Sequence, residues 1–158
     1  MRVSITQNEE NELLLKDLCA RLPYGVNVYC EWNYFKGERT NDSGILVEID
    51  LHKNNILFKR SSDEYTYTRI PFNRIDGVVK PYLRTMQSMT EEEDKDWQLY
   101  KSRIAESCDE LLEEKIAELH DWFNLHHFDY LGLIEKGLAI EAPERMYDTK
   151  TKKEGGNE

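Results

Sequence analysis

Apolar residues near the start of the chain recur at spacings of three and four. Leu14, Leu15, Leu18 and Leu22 share one helical face. Thr6 and Glu9 have the spacing of a capping box, and Pro23-Tyr24-Gly25 is a stop signal. The pattern predicts a helix from about Thr6 to Leu22. The period then falls to two. Val26, Val28, Cys30, Trp32 and Tyr34 alternate with Asn27, Tyr29, Glu31 and Asn33, the mark of a half-buried strand. Gly37 and Asn41-Asp42-Ser43-Gly44 read as turn signals. Beyond them Ile45, Val47, Ile49 and Leu51 form the apolar phase of a second strand, with Leu46, Glu48 and Asp50 facing outward. Trp32 and Ile49 are thus expected to meet in one core.

Further strands are predicted over Ile56–Lys59, Tyr65–Ile70 and Val78–Leu83, separated by turns at Lys53–Asn55 and Ser61–Glu64. Pro71 to Gly77 reads as an irregular connection. Pro81 lacks a ladder donor, which puts the last strand at an edge. Four or five short strands with tight turns predict a small antiparallel barrel, SH3-like first and OB-like second.

Thr90 and Glu93 form another capping box, and no Gly or Pro follows before Gly132. Trp97, Tyr100, Ile104, Cys108, Leu111, Leu112 and Ile116 trace an apolar stripe, predicting one acidic helix from Glu91 to near Leu119. It would be roughly 40 Å long, longer than a small barrel is wide. The excess stripe predicts a homo-oligomer. The stretch from His120 to Met146 carries three of the four histidines. In it Asp129 is a candidate N-cap for a short helix through Lys136, Gly137 fits the residue after it, and Leu138–Ala142 is extended before Pro143. The expected fold class is α+β: an N-terminal helix, a small SH3-like barrel, a long acidic helix and a short helical C-terminal motif. The expected domains are 1–86, 87–146 and a disordered tail, 147–158.

Composition narrows the partners. The 158 residues are 39% hydrophobic and 33% charged, with a formal net charge of −10. That disfavours a chain that binds DNA or anionic membranes over its whole surface. Cys19, Cys30 and Cys108 are odd in number and widely spaced, which points to reduced thiols, with Cys19 and Cys108 packed on apolar helix faces. No signal peptide or membrane-length apolar run occurs, so a cytoplasmic protein is expected.

Three stretches carry a resemblance. They are LLLKDLCARLPYGV from Leu13 to Val26; VKPYLR from Val79 to Arg84 with SMTEEE from Ser88 to Glu93; and HHFDY from His126 to Tyr130 running into GLIEKGLA from Gly132 to Ala139. Together they resemble a family of uncharacterised proteins from gut Bacteroidales and their phages and prophages, including crAss-like phages. The resemblance spans Leu13 to Met146 and carries no established activity. The chain departs from the family at Thr85, where the pattern has Pro, and at Leu131, where it has Arg. The resemblance implies an accessory protein of a phage or mobile element working in a bacterial cytoplasm.

No complete catalytic motif, phosphate loop or metal-ligand pattern is present, so no cofactor is expected. Between Leu51 and Arg84 seven Lys or Arg face three acids, with aromatics interleaved. Lys59, Arg60, Tyr65, Tyr67, Arg69, Arg74, Tyr82 and Arg84 are therefore the candidate ligand or partner site. Internal pairing of these cations with the acidic helix is the competing expectation. His126, His127, Asp129 and Tyr130 are read as a structural motif, because adjacent histidines on a helix point about 100° apart. The functional expectation is a non-catalytic binding protein that masks a host defence protein, with its acidic helix as a decoy, or sequesters a small nucleotide. The alternatives are a metal-dependent hydrolase or nuclease built on the His/Asp cluster, and a virion-associated structural protein.

Overall fold

The computed structural model describes residues 6–33, 37–63, 65–73 and 77–147. The expectations for Tyr34, Arg74 and the tail beyond Tyr147 lie outside these residues. The chain divides into two compact units, Met1–Tyr82 with Leu131–Ile140, and Leu83–Tyr130 with Glu141–Glu158.

The first unit opens with α1, Gln7–Arg21, entered through the Thr6–Glu9 capping box and followed by a single 3₁₀ turn, Leu22–Tyr24. Gly25 ends it at φ +69°, where a side chain would be strained. Leu14 and Leu18 are buried as the periodicity requires. Asp17 and Arg21, one turn apart, are buried beside them. The Arg21 Nε lies 2.9 Å from both Asp17 carboxylate oxygens, and both side chains are inaccessible to solvent. Cys19 sits on the exposed side of α1, so its expected packing on the apolar face is corrected.

The strands are β1 (Asn27–Asn33), β2 (Arg39–Asp50), β3 (Asn55–Arg60), β4 (Tyr67–Pro71), β5 (Gly77–Leu83) and the two-residue β6 (Ile140–Glu141). They form one sheet in the order β4-β3-β2-β1-β5-β6. β4 and β6 are its two edges, so the sheet is open and the expected closed barrel does not form. Its inner face carries Val28, Cys30, Trp32, Leu46, Ile56, Phe58, Ile70 and Val79, all buried. Trp32 meets Phe58 edge to face at 5.7 Å. Leu14 of α1 reaches this face, lining a small cavity with Phe72, Val79 and Leu138. Leu133, Leu138 and Ala139 of the returning segment are also buried.

Three strand expectations are corrected. The Asn41–Gly44 stretch is not a turn but part of β2, paired with β1 from Arg39 onward. Gly44 is needed there for space, since a Cβ would stand 1.9 Å from the Lys59 carbonyl oxygen. The inward phase of β2 is also reversed at its start. Leu46 is buried opposite Phe58, while Ile45, Val47 and Leu51 are exposed. The β2–β3 register shifts between Leu46 and Glu48, leaving Val47 as the extra residue of a bulge. Beyond it Ile49 pairs with the buried Ile56, so Ile49 does point inward, only half-buried. β5 is not the edge strand expected from Pro81: it lies between β1 and the two-residue β6, which is the edge.

The second unit corrects the single long helix. α2 runs Glu91–Glu106 and α3 runs Asp109–Leu125. Ser107 and Cys108 between them are extended, and the Ser107 hydroxyl donates to the Arg103 carbonyl. Trp97 then meets Phe123 and Tyr100 meets Trp122, so the two helices form an antiparallel hairpin. Cys108 is exposed at the turn, not packed on a helix face. The core of the unit is Trp122, Phe123 and Phe128, with Met86, Met89, Trp97, Tyr100, Leu119 and Tyr130 against them.

Asp129 does not cap a helix. Its N–H donates to the Arg84 carbonyl, and between 129 and 139 the chain forms turns at 133–137 and no helix. Gly137 keeps the positive φ, +74°, expected of it, but in a turn. Among the described residues no helix is long and apolar enough to cross a membrane.

Candidate functional site

Alternation along the strands gives the first unit an outer sheet face opposite α1 and the inner core. Cross-strand register assembles its side chains into rows. Tyr67 pairs with Lys59, Lys59 with Ile45, and Ile45 with Asn27; Tyr82 follows on β5 beside Pro81, the partner of Val28. The next row is Ser43, Tyr29 and Lys80. On the other side Arg69, Leu57 and Glu48 align. The face exposes apolar side chains among these polar ones: Tyr67 is 54% exposed, Ile45 42% and Val47 43%, with Lys59 between Tyr67 and Ile45.

Hydrogen bonds fix polar groups on and beside this face. The Tyr82 and Ser43 hydroxyls lie 3.0 Å apart. The Tyr29 hydroxyl donates to Glu31 at 2.8 Å, and this bond to a carboxylate pushes the phenol up to about 12. Arg39 contacts Glu31 and Asn33. Arg69 reaches Glu48 at 3.0 Å and Asn55 at 2.8 Å. Among the described residues Lys59 and Lys80 are in no ion pair.

The structure therefore splits the patch read from the sequence. Lys59, Tyr67, Arg69 and Tyr82 share the outer face, and Tyr65 is exposed in the turn entering β4. Arg60 is on the inner side, 2.7 Å from Asp42 and 5.7 Å above the Trp32 ring. Its Asp42 partner is held below the usual carboxylate range; burial opposes this, and bonds from Ser62, Arg60 and the Ser43 N–H outweigh it. Arg74 lies outside the described residues. Arg84 belongs to the second unit and binds Glu93 through two bonds of 2.8 and 2.7 Å. Its guanidinium also stacks 4.3 Å from the Phe128 ring and donates to the Ser88 carbonyl. Arg84 fastens its own unit together.

Tyr29, Val47 and Lys80 were missed as members of the face. Tyr29 and Lys80 sit on the outward phase of their strands, which was a usable signal; Val47 is outward through the bulge, which left none.

The histidine cluster is structural in its geometry. His126 caps α3, stacks near Trp122 and Phe128, and has Nδ1 3.3 Å from Glu93. Burial lowers its pKa; Glu93 counteracts this and Arg84 reinforces it. His127 is buried at φ +61° with its ring 3.7 Å from that of Tyr147. Tyr147 thus packs, although the sequence placed it in the tail. Tyr130 stacks on Phe123 and His120. Among the described residues no group of three or more His, Cys, Asp or Glu side chains is placed to hold a metal ion. Cys30 is buried, which pushes its thiol well up and makes it a poor nucleophile.

No protein-family model, curated protein or solved structure matches the chain.

Proposed function

We propose that the protein is a non-catalytic binding protein, an accessory factor of phage or mobile-element origin, that engages a protein partner through the outer face of its sheet. One observation carries the reading. The face exposes Ile45, Val47 and Tyr67 beside the half-buried Leu57, with Lys59 between Tyr67 and Ile45 and with Lys80 and the Arg69–Glu48 pair on the same face. Exposed apolar and aromatic side chains interspersed with polar groups on one face suit a protein interface. Nucleotide capture needs several free cations beside the aromatic rings. Here Arg39 and Arg69 are already paired with carboxylates, which favours a protein over a nucleotide. The resemblance of the chain to phage and prophage proteins supports a host partner in a bacterial cytoplasm, and a defence component is the working candidate.

The test is quantitative affinity purification from the native host, comparing the wild-type chain with Lys59→Glu/Tyr67→Ala. Both positions are on the outward phase, so the variant should fold. A protein enriched by the wild type and lost from the variant supports the reading. Equal recovery by both rejects this face. A 260 nm absorbing ligand that co-purifies with the wild type alone would replace the protein partner with the nucleotide.

A further inference from the structure

The helical hairpin is unequally packed along its length. Every buried residue of α2 and α3 lies in one turn, Trp122 to Asn124, near the end of α3. Towards the turn at Ser107 and Cys108 nothing in either helix is buried. Ile104 and Leu112 are only half-buried, and Leu111 and Ile116 are 46% and 36% exposed. Two helices leave such a stripe uncovered; a third lying along the groove would cover it.

The electrostatics select that third helix. Between Glu91 and Leu125 there are twelve acids and four bases. Three of the four bases are committed locally: Lys101 lies over Trp97, Arg103 over Tyr100, and Lys115 pairs with Glu118. Around the uncovered stripe stand Glu106, Asp109, Glu110, Glu113 and Glu114, none in an ion pair among the described residues. A second copy of the chain would bring the same acids against these and be repelled. A helix with an apolar stripe and flanking lysines or arginines matches both features.

We propose that the distal half of the α2–α3 hairpin docks a basic amphipathic helix of another protein, seated on Ile104, Leu111, Leu112 and Ile116. The proposal uses none of the sheet-face residues and does not depend on the function argued for that face.

The test uses the full chain and a labelled eighteen-residue helical peptide of leucine and lysine, with leucines at heptad positions a and d. Fluorescence anisotropy should show saturable binding that weakens steeply with salt. Leu111→Gln/Ile116→Gln preserves the charge and replaces no buried residue, so its circular dichroism should match the wild type while its affinity falls at least tenfold. Leu99→Gln, an exposed leucine off the stripe, should bind as the wild type does. Equal binding by the two glutamine variants would overturn the proposal, since attraction would then be non-specific. Equal binding of a leucine and glutamate peptide would also overturn it. So would a wild-type dimer in light scattering that dissociates in Leu111→Gln/Ile116→Gln, because a second copy would then own the stripe.

Discussion

Glu93 shows how much one side chain can hold. It closes the capping box of α2, receives both Arg84 bonds and faces His126. Burial would raise its pKa, but the bonds from Arg84 and Thr90 outweigh that and hold the carboxyl at about 2, against 4.5 for the free group. A depressed carboxylate stabilises the fold above its unfolded value and loses that contribution as the pH falls from 4.5 towards 2. His126, lowered by burial, acts in the same direction from 6.5 downward, because the unfolded chain takes up its proton first. The thermal midpoint should therefore drop through both windows, and Glu93→Gln should lower the neutral midpoint while flattening the lower window. A midpoint that stays level from pH 7 to 3 contradicts this. The Asp17–Arg21 pair makes a second case. Asp17→Ala leaves a buried guanidinium without its carboxylate and should cost about 3–5 kcal/mol in urea melts, whereas Asp17→Leu/Arg21→Met should recover most of it. Neither role was legible in the sequence. The spacing of Glu93 from Thr90 showed the cap but not Arg84, and an aspartate one turn from an arginine is usually a surface pair.

At the level of elements, residues with strong local chemistry were read correctly. The capping boxes at Thr6 and Thr90 start helices where expected, and the alternation from Val28 to Trp32 is the burial seen in β1. Failures occur where tertiary contacts override local pattern. Asn41-Asp42-Ser43-Gly44 has turn composition, yet Asp42 is held by Arg60 and Ser62, and Gly44 lies against the β3 backbone. The bulge at Val47 reverses the phase of β2 without a Gly or Pro to announce it. The break at Ser107 and Cys108 has equally weak signals; the helices fold back because aromatic residues at both ends of the stripe pack on one another. Gly44→Ala should destabilise by about 1–3 kcal/mol, because its Cβ must displace the Lys59 carbonyl. A urea midpoint equal to the wild type would show that β2 and β3 approach less closely than described.

For the whole molecule, composition and period sufficed for an α+β chain with strands between helices, but not for closure of the sheet. Closure depends on whether the first and last strands pair, and no local pattern encodes that. The charge surplus between Leu51 and Arg84 also misled in part. Counting along the chain cannot show that Arg60, Arg69 and Arg84 each meet a carboxylate. The proposed surface is smaller, with Lys59, Tyr67 and Tyr82 from the expected set and Tyr29, Ile45 and Lys80 beside them. Lysine acetylation with mass spectrometry, on the free chain and on its complex with the captured protein, tests that surface directly. Lys59 and Lys80 should be labelled in the free chain and protected several-fold in the complex, while Lys16 on the exposed side of α1 is labelled equally in both. Undiminished labelling of Lys59 and Lys80 in the complex would contradict the outer sheet face as the binding surface.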